Sequence, residues 1–259
     1  MASPYDGRVS TLHRLSRVAM IPVAPVLVAQ GRRLRRDTPR LPDAASPWQG
    51  TVAGPRPLRL LVLGDSTAAG VGADTQDDAL PGHLGRELAA RTGRGVTWRA
   101  IGENGADARE LIERYLDDAT SAPYDVVFLS VGANDALGIR SRGAFARDIR
   151  QLLSRLRAAS PDAAILVSSL PAFFRFELLP QPLKWNLYLH STSLENGARA
   201  VVATLADVHM SPPPPPYTDG FFASDLFHPS AAGYRDWARF AIEDAASAGA
   251  LRRLMATSG

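Results

Sequence analysis

From Leu58 onward the chain alternates short apolar runs, several closed by glycine-bearing polar turns, with longer segments of helical spacing, and this alternation restricts the fold more than any other feature. Leu58 to Leu63 is an apolar run ending at Gly64, as a buried parallel strand requires, and Ala79 to Thr92 then repeats leucine at 80, 84 and 88 on one helical face. Val96 to Ile101, Val126 to Val131, Ala163 to Ser169 and Val201 to Leu205 read as the next four strands. Ala108 to Leu116, Phe145 to Leu156, Lys184 to Ala200 and Ser230 to Ala248 read as helices. Strands that alternate with helices in this way build a parallel sheet covered on both faces. The expectation is an α/β domain over residues 58–259 with a five-stranded parallel sheet. With 259 residues and 46% hydrophobic content the chain can bury one substantial core.

Residues 1–57 read differently, as a basic arm and linker. Up to Arg59 the chain carries ten Arg against three Asp, a charge of +7, which leaves −4 for the rest of a chain whose total is +3. A slightly acidic body with a basic arm suits an anionic membrane surface better than it suits nucleic acid. The arm contains an apolar run, Val18 to Ala29, interrupted by Pro22 and Pro25 and followed by Arg32, Arg33, Arg35 and Arg36. It is short for a membrane span, which takes about 20 apolar residues. Its length fits a signal-peptide core with Arg8, Arg14 and Arg17 before it, but no clean small-x-small site follows and the four arginines oppose export. The reading therefore favours an interfacial anchor or a strap packed on the domain, in a cytoplasmic or membrane-associated protein rather than a secreted one. Thr38 to Pro57 reads as an extended linker. Cysteine is absent, which excludes disulfides, thiolate metal sites and a cysteine nucleophile.

Ligands of open α/β sheets bind beyond the carboxyl ends of the strands. Three polar turns sit there: Gly64-Asp65-Ser66, Gly102 to Gly105, and Gly132-Ala133-Asn134-Asp135. A serine hydroxyl is a poor nucleophile until an imidazole takes its proton and a carboxylate holds that imidazole in the right tautomer. Asp225-Leu226-Phe227-His228, just before the last helix, can supply both groups from one loop. Ser66 could also simply cap the helix after the first strand, and Asp65 and Asp135 are expected to organise their turns.

Taken in order, Gly64-Asp65-Ser66-Thr67, the glycine block around Gly105, Gly132-Ala133-Asn134-Asp135 and Asp225-Leu226-Phe227-His228 resemble the four blocks of the SGNH (GDSL-type) hydrolases. The resemblance covers roughly residues 58–246. It implies a flavodoxin-like three-layer α/β/α fold, Ser66 as nucleophile, His228 as general base and Asp225 as its partner. It also implies an oxyanion hole made of the Ser66 and Gly105 backbone amides and the Asn134 side-chain amide. Leu63 to Gly72, Pro180 to Trp185 and Phe227 to Tyr234 are similar to the FeeA/FeeB-like subgroup, which points to lipidic acyl esters. The expected activity is carboxylic ester hydrolysis through an acyl-serine, with acyl transfer or thioester hydrolysis at the same serine as the alternative. No cofactor is called for, and the expected partners are a small-molecule acyl ester and, through the arm, a membrane surface, with no nucleic acid.

Three further segments bear on substrate and metal. Ala172 to Pro180 is an aromatic and aliphatic loop, read either as helix cover or as an acyl-binding wall or lid. Pro212 to Pro216 reads as a stiff spacer leading to Tyr217 through Phe222. Asp207-Val208-His209 places an acid and an imidazole on one strand face, but no other ligands cluster with them and no metal is assigned. His13, His83, His190 and His209 are expected at the surface or in packing roles.

Overall fold

The structure, a computed structural model, describes residues 16–255, so Arg8, His13 and Arg14 lie outside the described residues. Its strands are β1 (Gln49–Val52), β2 (Leu58–Gly64), β3 (Val96–Gly102), β4 (Val126–Ser130), β5 (Ala164–Val167) and β6 (Val208–Met210). The helices are α1 (Ser16–Ala19), α2 (Ala24–Asp37), α3 (Leu80–Thr92), α4 (Ala108–Arg114), α5 (Leu116–Ala119), α6 (Ala133–Leu137), α7 (Arg142–Ala159), α8 (Leu183–Val202), α9 (Ala231–Ser247) and α10 (Arg252–Met255). The sheet order is β1-β3-β2-β4-β5-β6, with β2 to β6 parallel and β1 antiparallel to β3. The chain steps outward from β2 to β3, then returns past β2 to β4. That reversal opens a crevice beyond the carboxyl ends of β2 and β4, where doubly wound sheets hold ligands.

Alternation along the central strands feeds two cores. Leu60 and Val62 turn to one face with Phe128, meeting Leu84 and Leu88 of α3 and Tyr234 and Ala241 of α9. Leu61, Leu63, Val127 and Leu129 turn to the other, meeting Leu111 of α4, Phe145 and Leu152 of α7 and Leu194 of α8. Each such leucine, withdrawn from water, contributes about 1.5–3 kcal/mol. These cores clamp the central strands, including β2 and β4, whose ends border the crevice.

Six strands form rather than five. The extra one, β1, comes from the stretch expected as linker. Gln49-Gly50-Thr51-Val52 alternates exposed with half-buried positions and has one large apolar residue, so it carries no strong strand signal, yet its backbone completes the sheet beside β3. The strand expected at Val201 to Leu205 is also displaced. Leu194, Ala198 and Val201 keep the three-to-four-residue spacing of the buried face of α8, so helix continues to Val202. The last strand follows at Val208–Met210, after a turn in which Asp207 takes φ +55°.

Ahead of the sheet, α1 and α2 lie against α8. Ser16 Oγ is 3.0 Å from His190 Nδ1, Gln30 Nε2 donates to the Gln181 carbonyl at 2.7 Å, and Gln30 Oε1 accepts from the Leu183 amide at 3.2 Å. No residue of α2 is fully buried. Among the described residues no helix is long and apolar enough to cross a membrane.

Candidate active site

The site begins at the end of β2. A side chain at Gly64 would run into the Ser130 carbonyl oxygen, so glycine there lets β2 and β4 stay close where the chain turns. Asp65, buried, then accepts from the Thr67 amide at 3.1 Å and the Thr67 hydroxyl at 3.0 Å, and the same hydroxyl reaches Ser130 Oγ at 2.8 Å. Burial pushes the Asp65 carboxyl above its ordinary range, against the pull of the Thr67 hydrogen bonds. Ser66 is held between these anchors, 7% exposed.

The second half of the site comes from the loop before α9. Asp225 Oδ1 accepts from the amides of Phe227 and His228, both at 3.0 Å, folding the tetrapeptide into a tight turn with Leu226 at φ +56°. Asp225 Oδ2 lies 2.6 Å from His228 Nδ1, and His228 Nε2 lies 3.1 Å from Ser66 Oγ. Burial alone would raise the Asp225 carboxyl, but its hydrogen bonds to His228 and to the two amides outweigh that and hold it below its ordinary range. Ser230 caps α9 by accepting from the Gly233 amide at 3.2 Å. The fully buried Tyr234 hydroxyl donates to the Val71 carbonyl at 2.7 Å. That bond locks the helix carrying the histidine loop to the turn carrying Ser66.

Gly105 and Asn134 arrive by strand register. Gly64 pairs laterally with Gly102 on one side and Ser130 on the other, so the turns after β3 and β4 flank the turn that carries Ser66. Gly105 has φ +91° and open space where a side chain would be, so backbone conformation, not crowding, is what requires glycine. Asn134 Nδ2 donates to the Ala106 carbonyl at 3.0 Å, and its second N–H is left for another acceptor. Asp135 Oδ2 accepts from the Ala108 amide at 3.0 Å, a second tie between the same two loops. Burial raises the Asp135 carboxyl to about 7, and Arg140, 3.4 Å away, opposes that rise.

A recess of about 710 Å³ of atom-free space, mouth included, opens at Ser66 and His228. Its polar lining includes Asp65, Thr67, Ser130 and Ser168, and its apolar lining is dominated by Leu170, Phe176, Tyr217, Phe222 and Phe227. The turns carrying Gly105 and Asn134 adjoin the Ser66 side of this recess. Of the aromatic loop, Phe173 goes into the core, Phe174 stays 44% exposed and Phe176 enters the recess, packing on Phe222 and Phe227 with ring centroids 5.0 and 5.4 Å apart. Arg175 donates to the carbonyls of Pro214 and Pro215 at 2.5 and 2.8 Å, so the polyproline stretch is pinned to the wall. Phe227 and Tyr217 were not separable from their surroundings by pattern. Their only sequence signal is adjacency, Phe227 to His228 and Tyr217 to the proline run.

Residues 62–235 match the family model described as GDSL-like Lipase/Acylhydrolase. The chain belongs to that family. Within it, the chain is 27% identical over 197 residues to the GDSL-like esterase Rv1075c of Mycobacterium tuberculosis, covering 72% of this chain and 60% of that protein. It therefore spans about 60% of the length of that relative. A family 3 carbohydrate esterase of Clostridium thermocellum superimposes with TM-score 0.59 at 15% identity, over 79% of this chain and 100% of the other. The lipase/acylhydrolase of Enterococcus faecalis gives 0.55 at 21% identity, over 74% and 97%. At such identities these two show the shared fold alone.

Among the described residues the other histidines, His83, His190 and His209, stand apart from the site. His209 Nε2 is 2.6 Å from Asp244, tying β6 to α9, while its sequence neighbour Asp207 pairs with Arg253 at 3.2 Å. His190 is buried, which pushes its pKa down to about 4. His83 lies 3.0 Å from an Arg86 nitrogen. No group of three or more His, Asp or Glu side chains among the described residues is arranged to hold a metal ion.

Proposed function

We propose that the protein is a carboxylic ester hydrolase that works through an acyl-serine and takes lipidic, medium- or long-chain acyl groups. One observation carries the reaction: His228 Nε2 stands 3.1 Å from Ser66 Oγ while Asp225 occupies the other ring nitrogen at 2.6 Å. Ser66 attacks the ester carbonyl and its proton passes to His228, whose developing positive charge faces the ionised Asp225. The carbonyl oxygen, now negative, is held by the backbone amides of Ser66 and Gly105 and by the Asn134 side chain. His228 returns the proton to the leaving alcohol, and water repeats the cycle on the acyl-serine. The family placement supports the reaction class, and the aromatic lining of the recess supports an apolar acyl group. The similarity of three segments to the FeeA/FeeB-like subgroup agrees with the lipidic reading.

The test is hydrolysis of p-nitrophenyl esters of graded chain length by the native protein and by Ser66→Ala, with mass analysis for a trapped acyl-enzyme. Turnover that rises with chain length and falls at least about 10⁴-fold in the variant is expected. Equal activity of the two proteins would remove Ser66 as nucleophile, and a preference for acetyl esters would remove the lipidic substrate class.

A further inference from the structure

The arm is tied to the body through Ser16 and Gln30, buries Met20 and packs Leu34 on the core, yet what it turns outward does not resemble an ordinary solvated helix face. Val18, Ile21, Val26 and Val28 are 57%, 68%, 47% and 50% exposed. Immediately after them, Arg32, Arg33, Arg35 and Arg36 are all exposed, with Asp37 as the only acid of α2. Over the 14 residues of α2, a length of about 21 Å, the outward surface is thus apolar at one end and cationic at the other. The Gln30 bonds to Gln181 and Leu183 set this helix beside the start of α8, where Trp185 is 51% exposed. Trp185 packs on Tyr188, and Tyr188 on the exposed Phe174, with ring centroids 5.4 and 4.9 Å apart. Two residues beyond Phe174, Phe176 lines the recess.

We infer that α1, α2 and the Phe174–Trp185 rim form a docking surface for an anionic lipid bilayer. Four features select a bilayer. Branched aliphatic side chains left in water gain most from an apolar phase that needs no matching shape. Guanidinium groups next to them reach lipid phosphates, and an exposed tryptophan favours the boundary between headgroups and chains. The positive charge is concentrated on the arm, since residues beyond Arg59 sum to −4, so attraction to an anionic surface also orients the molecule. Docking there brings the aromatic wall of the recess within a few residues of the lipid. The surface stands independently of whether the recess takes long acyl chains.

The test is flotation of the full-length protein with phosphatidylcholine vesicles, with and without phosphatidylglycerol, at low and high salt. Binding is expected only with phosphatidylglycerol and is expected to weaken as salt rises. Replacing Arg32, Arg33, Arg35 and Arg36 together by Ser should lower the affinity roughly 600-fold, because each cation near such a surface adds about a fivefold factor. The pair Ile21→Ser and Val28→Ser should lower it about tenfold while leaving circular dichroism and thermal unfolding unchanged. Absence of binding to phosphatidylglycerol vesicles would overturn the inference, as would binding that both variant sets retain. Concentration-dependent dimerisation in sedimentation, lost in the Ile21→Ser, Val28→Ser pair, with no vesicle binding, would assign the face to a second copy of the chain instead.

Discussion

The turns around Ser66 and the arm of α1 and α2 are held by opposite means. At Ser66 each loop has several independent restraints: Asp65 with Thr67, Asp225 with two amides, Tyr234 with Val71, and Asn134 and Asp135 both tied to the Gly105 loop. Beneath them lie strands whose leucines are wholly buried. The arm has Ser16 against His190 and Gln30 against α8, with no buried residue in α2. Chemistry that needs atoms placed to a few tenths of an ångström calls for many agreeing restraints, whereas the arm, if it settles on a bilayer as proposed, does not.

That contrast can be broken by removing restraints on each side. The largest effect should come from Asp225→Asn, which leaves the turn intact but frees the imidazole to adopt the wrong tautomer; kcat should fall about 10⁴-fold with little change in KM. Asn134→Ala should cost a hundred- to a thousandfold in kcat, with unfolding unchanged beyond about 1 kcal/mol. Turnover near native in that variant would leave the oxyanion to the two backbone amides.

Asp135 sharpens the comparison through pH. Its carboxyl is raised to about 7 from an ordinary value of 3.8, so the folded state holds a proton that the unfolded chain releases. Stability from this group is complete below about pH 4 and declines as pH climbs through 7, by up to ~4 kcal/mol. Thermal unfolding across that window should therefore slope less in Asp135→Asn than in the native protein; parallel slopes would contradict the burial argument. Smallest of all, Gln30→Ala should lower stability by about 1 kcal/mol or less and leave hydrolysis of a soluble ester unaltered.

The sequence made some of this legible and hid the rest for definite reasons. Runs such as Leu58 to Leu63 and the leucine spacing of α3 report burial directly, because a strand covered on both faces must be apolar throughout. The polar turns at 64–66, 102–105 and 132–135 were readable because glycine and short polar residues have few other uses at strand ends. β1 was not, since an edge strand needs backbone partners more than apolar side chains, and Gln49 to Val52 provides mainly the former. Val201 to Leu205 misled because a short apolar run suits a buried helix end as well as a strand. The Tyr234 bond to Val71 crosses 163 positions and left no local trace.

That last bond has a consequence for the working life of the molecule. His228 and Ser66, the proposed base and nucleophile, are 162 residues apart along the chain, and the seating of α9 helps keep them in register. Fraying of the carboxyl-terminal segment would part His228 from Ser66 while the sheet stayed intact, so turnover on warming is expected to be lost before general melting.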